Sequence, residues 1–461
     1  MMRLSEAATA VNGKVVGHDA MFGAVFSDSR AIAPGDLFVA LKGENFDGHD
    51  FVADCLQRKA AAALVNADWS AGNAAPLLQV ADTKRALGAL AAYWRGKFRI
   101  PVAAVTGSNG KTTVKEMLAA ILRQAAGNDD AVLATQGNLN NDIGMPLTLL
   151  KLRDTHRCAV IEMGMNHAGE IDTLTRIAHP DVALINNASG AHLEGLGSVE
   201  AVAQAKGEIF AGLRDDGIAV FNADDKYAAL WGALAKPHRV VDFGIAHEKS
   251  AVNARWQAAD YGSQLAVNTP AGTFSARLNV PGEHNVRNAL AATAAAVALE
   301  IPLTKIVAGL ESFDGVKGRL QRKPGKRGAV IIDDTYNANP ASMRAAIDVL
   351  AACGGKRILV LGDMGELGAD AERFHAEIGA YAKAAGLETL LALGDLGRET
   401  AAGFGSGATH FDTPENLVAA LEKHLSADTT VLVKGSRFMK MERVVNALVT
   451  QDNNRRNKHV A

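Results

Sequence analysis

Cysteine is scarce in this chain: Cys55, Cys158 and Cys353 are the three it has in 461 residues. They lie far apart and form no C-x-x-C pair, which argues against a disulfide framework or a thiolate zinc cluster and fits a reducing compartment. An excess of one charge is missing too. Lys and Arg number 48 against 50 Asp and Glu, and the net charge of −2 provides no basic face for nucleic acid. Long apolar runs are absent. The longest, Ala289 to Leu299, falls well short of the ~18 residues of a membrane span. Met1 to Gly13 mixes Glu6 and Asn12 with small residues and lacks the apolar core of a secretory signal. The expectation is a soluble, cytoplasmic protein with no nucleic-acid or membrane partner. A monomer is expected.

What is present is apolar material in quantity. Hydrophobic residues make up 48% of the chain, enough for a core in each of about three domains at roughly 150 residues apiece. A first block, 1–95, starts with short apolar pieces such as Asp36 to Leu41 and ends in a helical pattern of Leu87, Leu90 and Trp94. In a second block, 96–316, strand-like runs (Val102 to Val105, Cys158 to Ile161, Val182 to Ile185) alternate with helical ones (Val114 to Leu122, Ile171 to Ile177), and an Ala-rich helix, Val286 to Leu299, closes it. That alternation predicts a mostly parallel sheet with helices on both faces. Residues 314–328, rich in glycine and basic side chains, read as a linker or hinge. The third block, 317–461, repeats the alternation with strands at Val330 to Ile332, Arg357 to Leu361, Leu390 to Leu393 and Val431 to Val433. The fold class is therefore α/β: a smaller N-terminal α/β domain, a central domain and a Rossmann-like C-terminal domain.

The chemistry is announced by Thr106-Gly107-Ser108-Asn109-Gly110-Lys111-Thr112-Thr113. It follows a buried strand and opens an amphipathic helix, the context a phosphate-binding loop requires. Glycines let backbone N–H groups turn onto a phosphate, and the helix N-terminus adds positive dipole. Lys111 would reach the β- and γ-phosphates of ATP, and the Thr112 hydroxyl would face Mg²⁺. The general pattern has a further glycine five positions before Gly110; here that residue is Val105. Glu162 ends the strand-like run Cys158 to Ile161, where a carboxylate holds Mg²⁺ beside phosphates in other enzymes of this type. His192 follows Val182 to Ile185; alone, such a histidine is usually a satisfied polar residue. Lys206, in Ala203-Gln-Ala-Lys206-Gly-Glu208, reads locally as a lysine on a helix surface.

The phosphate loop resembles that of the Mur ligases and folylpolyglutamate synthases, where the first glycine is likewise absent, and the resemblance extends over nearly the whole chain. It implies that Lys206 becomes a carbamate and binds a second Mg²⁺, with Glu162 and His192 as further metal ligands. Asn288, in His284-Asn285-Val-Arg-Asn288, matches the stretch that approaches the adenine, and Arg319 matches an arginine that reaches the ATP phosphates. Asp333-Asp334-Thr-Tyr336-Asn337-Ala-Asn339-Pro340 and Leu361-Gly-Asp363-Met-Gly-Glu366-Leu-Gly368 are similar to the branch of the family that adds D-alanyl-D-alanine; the Asp-Asn-Pro-Arg signature of the diaminopimelate-adding branch is missing. Asp334 is thereby expected near the nucleotide, and Tyr336, Asn337 and Asn339, with Asn138, Asn140 and Asn141, near the substrates. Ser27-Asp28-Ser29-Arg30 and Phe46-Asp47-Gly48-His49 resemble a uridine-diphosphate-binding domain, which implies substrate contacts from Ser29, Arg30, Asp47, Gly48 and His49. The plain alternative for Ser29 and Asp47 is ordinary turn residues. The activity implied is ATP-dependent joining of D-alanyl-D-alanine to a UDP-N-acetylmuramoyl-tripeptide through an acyl phosphate. The alternatives are another ligase of the family or a small-molecule kinase.

Overall fold

The computed structural model describes residues 1–44, 46–69, 76–190, 196–259 and 261–450. Three large sheets, with a two-stranded one beside them, organise these residues into an α/β protein of three domains. In the first, five strands run in the order Lys14–Val16, Leu77–Val80, Ala62–Asn66, Leu37–Val39, Val25–Phe26; all neighbours are parallel except the first pair.

The central sheet has nine strands. Val102–Thr106 lies inside it, between Cys158–Glu162 and Val182–Ile185, and every one of its residues is buried. A strand covered on both faces can be apolar throughout, which is why it reads as a continuous run. Ala103 and Val105 face a core shared with helices Lys111–Ala126 and Glu283–Ala298, while Val102 and Ala104 face the opposite core. The parallel part ends at Val252–Ala258, and Ser263–Thr269 and Gly272–Leu278 add antiparallel strands beyond it. The sequence reading missed this hairpin region. Burial alternates residue by residue along Ser263–Thr269, and Ser263, Gln264 and Asn268 dilute the apolar signal.

The third sheet has six strands in the order Gln321–Pro324, Val330–Asp334, Thr429–Lys434, Lys356–Gly362, Thr389–Leu393, Ala408–Phe411, with only the first pair antiparallel. Part of the expected linker is thus an edge strand. Its charged residues and terminal Pro324 suit an edge, where one row of backbone groups faces water.

The helix read from Leu87, Leu90 and Trp94 spans Thr83–Gly96. Its apolar face belongs to one core that runs from the first sheet to the lower face of the central one. Trp94 Nε1 donates to the Leu152 carbonyl at 3.1 Å, and the buried Arg95 donates through Nε to the Ala178 carbonyl at 3.1 Å. The first and central domains therefore share one continuous core across this helix.

Candidate active site

The phosphate loop joins the buried strand Val102–Thr106 to helix Lys111–Ala126. It is braced by the segment that follows Val182–Ile185. Asn187 Oδ1 accepts from Asn109 N at 2.9 Å, and the side-chain amides of Asn186 and Asn187 both donate to the Asn109 carbonyl, at 2.9 and 3.0 Å. Ser108 Oγ donates to the Ser189 carbonyl and accepts from its N–H. Gly110 has φ of +77°, and a Cβ there would sit 2.3 Å from Asn288 Oδ1. Only glycine fits this turn, so the loop is shaped before any ligand arrives.

Lys111 donates to the Gly107 carbonyl at 2.6 Å. Burial pushes its pKa down and the Arg319 charge adds to that, while Glu162 opposes them. Glu162 is itself buried. Its Oε1 accepts from Asn140 Nδ2 at 2.8 Å, and its Oε2 has no partner among the described residues. An orphaned buried carboxylate oxygen costs a few kcal/mol unless something fills its place. Lys206 is 1% exposed on helix Val199–Gly207 and makes no hydrogen bond among the described residues. Burial first, and the nearby Lys111 charge second, drive its pKa well below that of an ordinary lysine. The reading of Lys206 as a surface lysine is therefore corrected: the helix turns it inward. His192 lies outside the described residues.

From the third domain, Arg319 donates to Thr112 Oγ1 at 3.2 Å and stacks 4.4 Å from the centre of the Tyr336 ring; its Nε is buried without a partner. Asp334 and Lys434 face each other across neighbouring parallel strands, 2.7 Å apart and both buried. Burial raises the Asp334 pKa, and Lys434 works against it. Asp334 Oδ1 also accepts from Leu320 N at 3.1 Å, which pins the hinge. Asn339 caps helix Pro340–Ala351 and reaches across to Asn109 Oδ1 at 2.8 Å.

These groups enclose a cleft of about 1120 Å³ between the central and third sheets. Its lining includes Ser108, Asn109, Gly110, Lys111 and Thr113 on one side and Tyr336, Asn337 and Asn339 on the other, with Asn140, Asn141, Glu162, Asn288, Arg319 and Asp334 between. Two of these are partly spent on structure: Asn141 Oδ1 accepts from Gly144 N at 2.8 Å, and Asn288 Oδ1 accepts from Asn186 Nδ2. His284 also lines the cleft. Burial, then the Lys434 and Arg287 charges, lower its pKa to about 4.

Other expected residues stand elsewhere. Asn138 is exposed and outside the cleft lining. Ser29, Arg30, Asp47, Gly48 and His49 lie in the first domain, away from it. Arg30 pairs with Asp28, whose pKa falls to about 2, and the Ser29 carbonyl accepts from Arg58. Asp47 caps the turn Gly48–Phe51, and a Cβ on Gly48 would meet the Leu41 backbone at 2.7 Å. His49 uses both ring nitrogens internally: Nδ1 lies 2.6 Å from Asp47 Oδ1, and Nε2 accepts from Asn66 N at 3.0 Å. Sequence reasoning overlooked Asn186, Asn187, Asn285 and Lys434. The Asn-Asn pair directly after a buried strand was the available signal for the first two.

A phosphate loop at the carboxyl edge of a parallel sheet, facing a second sheet across a deep cleft, defines an α/β nucleotide-dependent enzyme. Three family models match: Mur ligase family, catalytic domain at residues 23–95, Mur ligase middle domain at 105–296, and Mur ligase, glutamate ligase domain at 318–437. The chain is 43% identical to the UDP-N-acetylmuramoyl-tripeptide--D-alanyl-D-alanine ligase of Escherichia coli K12, over 96% of this chain and 98% of that protein. Among solved structures, MurF from Acinetobacter baumannii superposes with a TM-score of 0.89 at 38% identity, covering 96% of this chain and 98% of that one. MurF of Thermotoga maritima, solved in complex with ADP, superposes with 0.81 at 29% identity, covering 92% and 96%. The chain belongs to the Mur ligase family. It is an ATP-dependent ligase.

Proposed function

We propose that this protein joins D-alanyl-D-alanine to UDP-N-acetylmuramoyl-tripeptide, using ATP and releasing ADP and phosphate, in the cytoplasmic assembly of peptidoglycan precursors. The observation that carries the reading is the agreement along nearly the full chain with ligases of that name, together with a cleft that faces the phosphate loop with Tyr336, Asn337 and Asn339. No described helix is long and apolar enough to cross a membrane.

Amide formation from a carboxylate needs a leaving group better than hydroxide. A tripeptide carboxylate oxygen attacks the γ-phosphorus and ADP departs, leaving an acyl phosphate. The dipeptide amine then attacks the acyl carbon, phosphate departs, and the amine loses a proton. Both steps gather negative charge on crowded oxygens, so positioned cations are the main catalytic demand. Lys111, released from the Gly107 carbonyl, and Arg319 are the residues we assign to that work. The braced loop and Asn288 fix the nucleotide, and Asp334 holds the hinge residue Leu320 in register. Ser29, Arg30, Asp47, Gly48 and His49 would receive the uridine diphosphate, and Asn138, Asn140 and Asn141 the tripeptide side. Closure about Gly318 would exclude water, which otherwise hydrolyses the acyl phosphate.

A magnesium ion fits the donors present. The unpartnered Glu162 Oε2 and the Thr112 hydroxyl are hard oxygen donors, and Mg²⁺ fills the rest of its shell from phosphate and water. Lys206, and His192 beyond the described residues, would complete a second site. Lys206 suits carbamate formation because a desolvated, neutral amine is the form that attacks CO₂; an unmodified Lys206 in a high-resolution map under CO₂ would remove it. When bound, the ions neutralise charge on the transferring phosphoryl group.

The test is phosphate release with ATP and the UDP-tripeptide, with and without D-alanyl-D-alanine. Turnover that needs both acceptors marks the ligase. A stable phosphorylated product without the dipeptide would mark a kinase.

A further inference from the structure

The dipeptide proposed above carries a free carboxylate, and a carboxylate drawn out of water needs a cation or several N–H donors. The inference below rests on that reading. Among the described residues, the Lys and Arg side chains lining the cleft are Lys111, Arg287, Arg319, Lys434 and Arg437. Four are committed. Lys111 turns into the phosphate loop, Arg319 holds Thr112 and Tyr336, Arg287 lies between two carboxylates, Glu283 at 2.6 Å and Asp224 at 3.9 Å, and Lys434 is buried on Asp334 and the Asn337 carbonyl.

Arg437 differs. It opens the short turn Arg437–Met439 that follows strand Thr429–Lys434, it lines the cleft, and its side chain is 63% exposed. Glu442 Oε1 accepts from Nη1 at 2.9 Å. A guanidinium has five N–H donors in a planar fork, so this contact orients the group and leaves most of it to a ligand. Beside it Phe438 also lines the cleft with its ring 61% exposed, an uncommon placement for phenylalanine. Gly365 lies close under that ring: a Cβ there would come within 3.1 Å of Phe438 Cε1. The Gly365 N–H donates to Ser436 Oγ at 2.8 Å and ties the facing loop to the turn. A fixed guanidinium next to an uncovered aromatic surface matches a small molecule with a carboxylate flanked by methyl groups.

We propose that Arg437 anchors the C-terminal carboxylate of the incoming dipeptide, that Phe438 covers its methyl groups, and that Glu442 is a positioning residue for the guanidinium. The test compares D-alanyl-D-alanine with D-alanyl-D-alaninamide, at saturating ATP and UDP-tripeptide, in the full-length enzyme. The wild type should favour the free acid by about a hundredfold in kcat/KM. Arg437→Met should raise KM for the acid by a similar factor, leave kcat within a few-fold and KM for ATP unchanged, and bring the acid-to-amide ratio close to one. Glu442→Gln should raise KM for the acid alone, by less. If Arg437→Met folds poorly, Arg437→Lys decides: a ratio reduced at least tenfold supports the anchor. A wild-type ratio in either folded variant overturns it. A wild-type enzyme that does not turn over with the dipeptide at all sinks the proposed activity instead.

Discussion

Two parts of the molecule were expected to bind nucleotides, and they treat their polar atoms in opposite ways. Around the phosphate loop, buried atoms are left wanting: among the described residues Glu162 Oε2, Asn186 Oδ1, Arg319 Nε and the Lys206 amine have no partner. In the first domain, Asp28 is spent on Arg30, and Asp47 and His49 on each other. Unmet buried polar groups are costly, and the ones beside the phosphate loop stand where a ligand can meet them. Groups that satisfy one another build turns, and a ligand must compete with the turn for them.

The sharpest way to break this contrast is at Lys111. Lys111→Ala should lower kcat for phosphate release by about 10²–10³-fold, the scale of removing one positioned charge-stabilising donor. Residual activity within tenfold of wild type would move the phosphate site elsewhere. Glu162→Gln preserves shape and its acceptor for Asn140 but removes the charge. The Mg²⁺ concentration for half-maximal turnover should rise at least about tenfold, and an unchanged requirement would deny Glu162 a metal.

His284 offers a test by pH. Its folded pKa, about 4, lies below the ordinary 6.5, so the unfolded chain binds a proton more readily. Its contribution is complete above pH 6.5 and is lost as pH falls toward 4. The full shift corresponds to roughly 3 kcal/mol. Urea unfolding of wild type and His284→Gln at pH 4.5 and 7 should show a smaller pH dependence in the variant; equal slopes would refute the burial argument. The smallest effect belongs to Asp47→Ala, which should cost about 1 kcal/mol as a lost cap, seen in thermal unfolding. A raised KM for the UDP-tripeptide besides would show that Asp47 serves the substrate as well as its turn.

Much of this was legible in the sequence where the signal is local. Val102–Thr106 and Cys158–Glu162 are buried on both faces and read as unbroken apolar runs; Gly107 to Thr113 sits in the strand-to-helix context that gives it meaning. Lys206 was misplaced by local reading, because a short helix of small residues does not reveal which side faces the sheet. Lys434 could not be found, since its role comes from lying opposite Asp334 in an adjacent strand a hundred residues away. The antiparallel extension of the central sheet was hidden by polar residues on its open face.

Helix Thr83–Gly96 has a consequence for how the chain divides. Because Trp94 and Arg95 are clasped by the Leu152 and Ala178 carbonyls, the first two domains share one interior, whereas the third sheet has apolar clusters of its own. In mechanical terms the enzyme is a two-piece tool with its joint near Gly318. A chimera that exchanged residues 1–95 for a relative's would have to carry the matching landing surface with it, while an exchange beyond the joint would leave the third sheet's own apolar clusters whole.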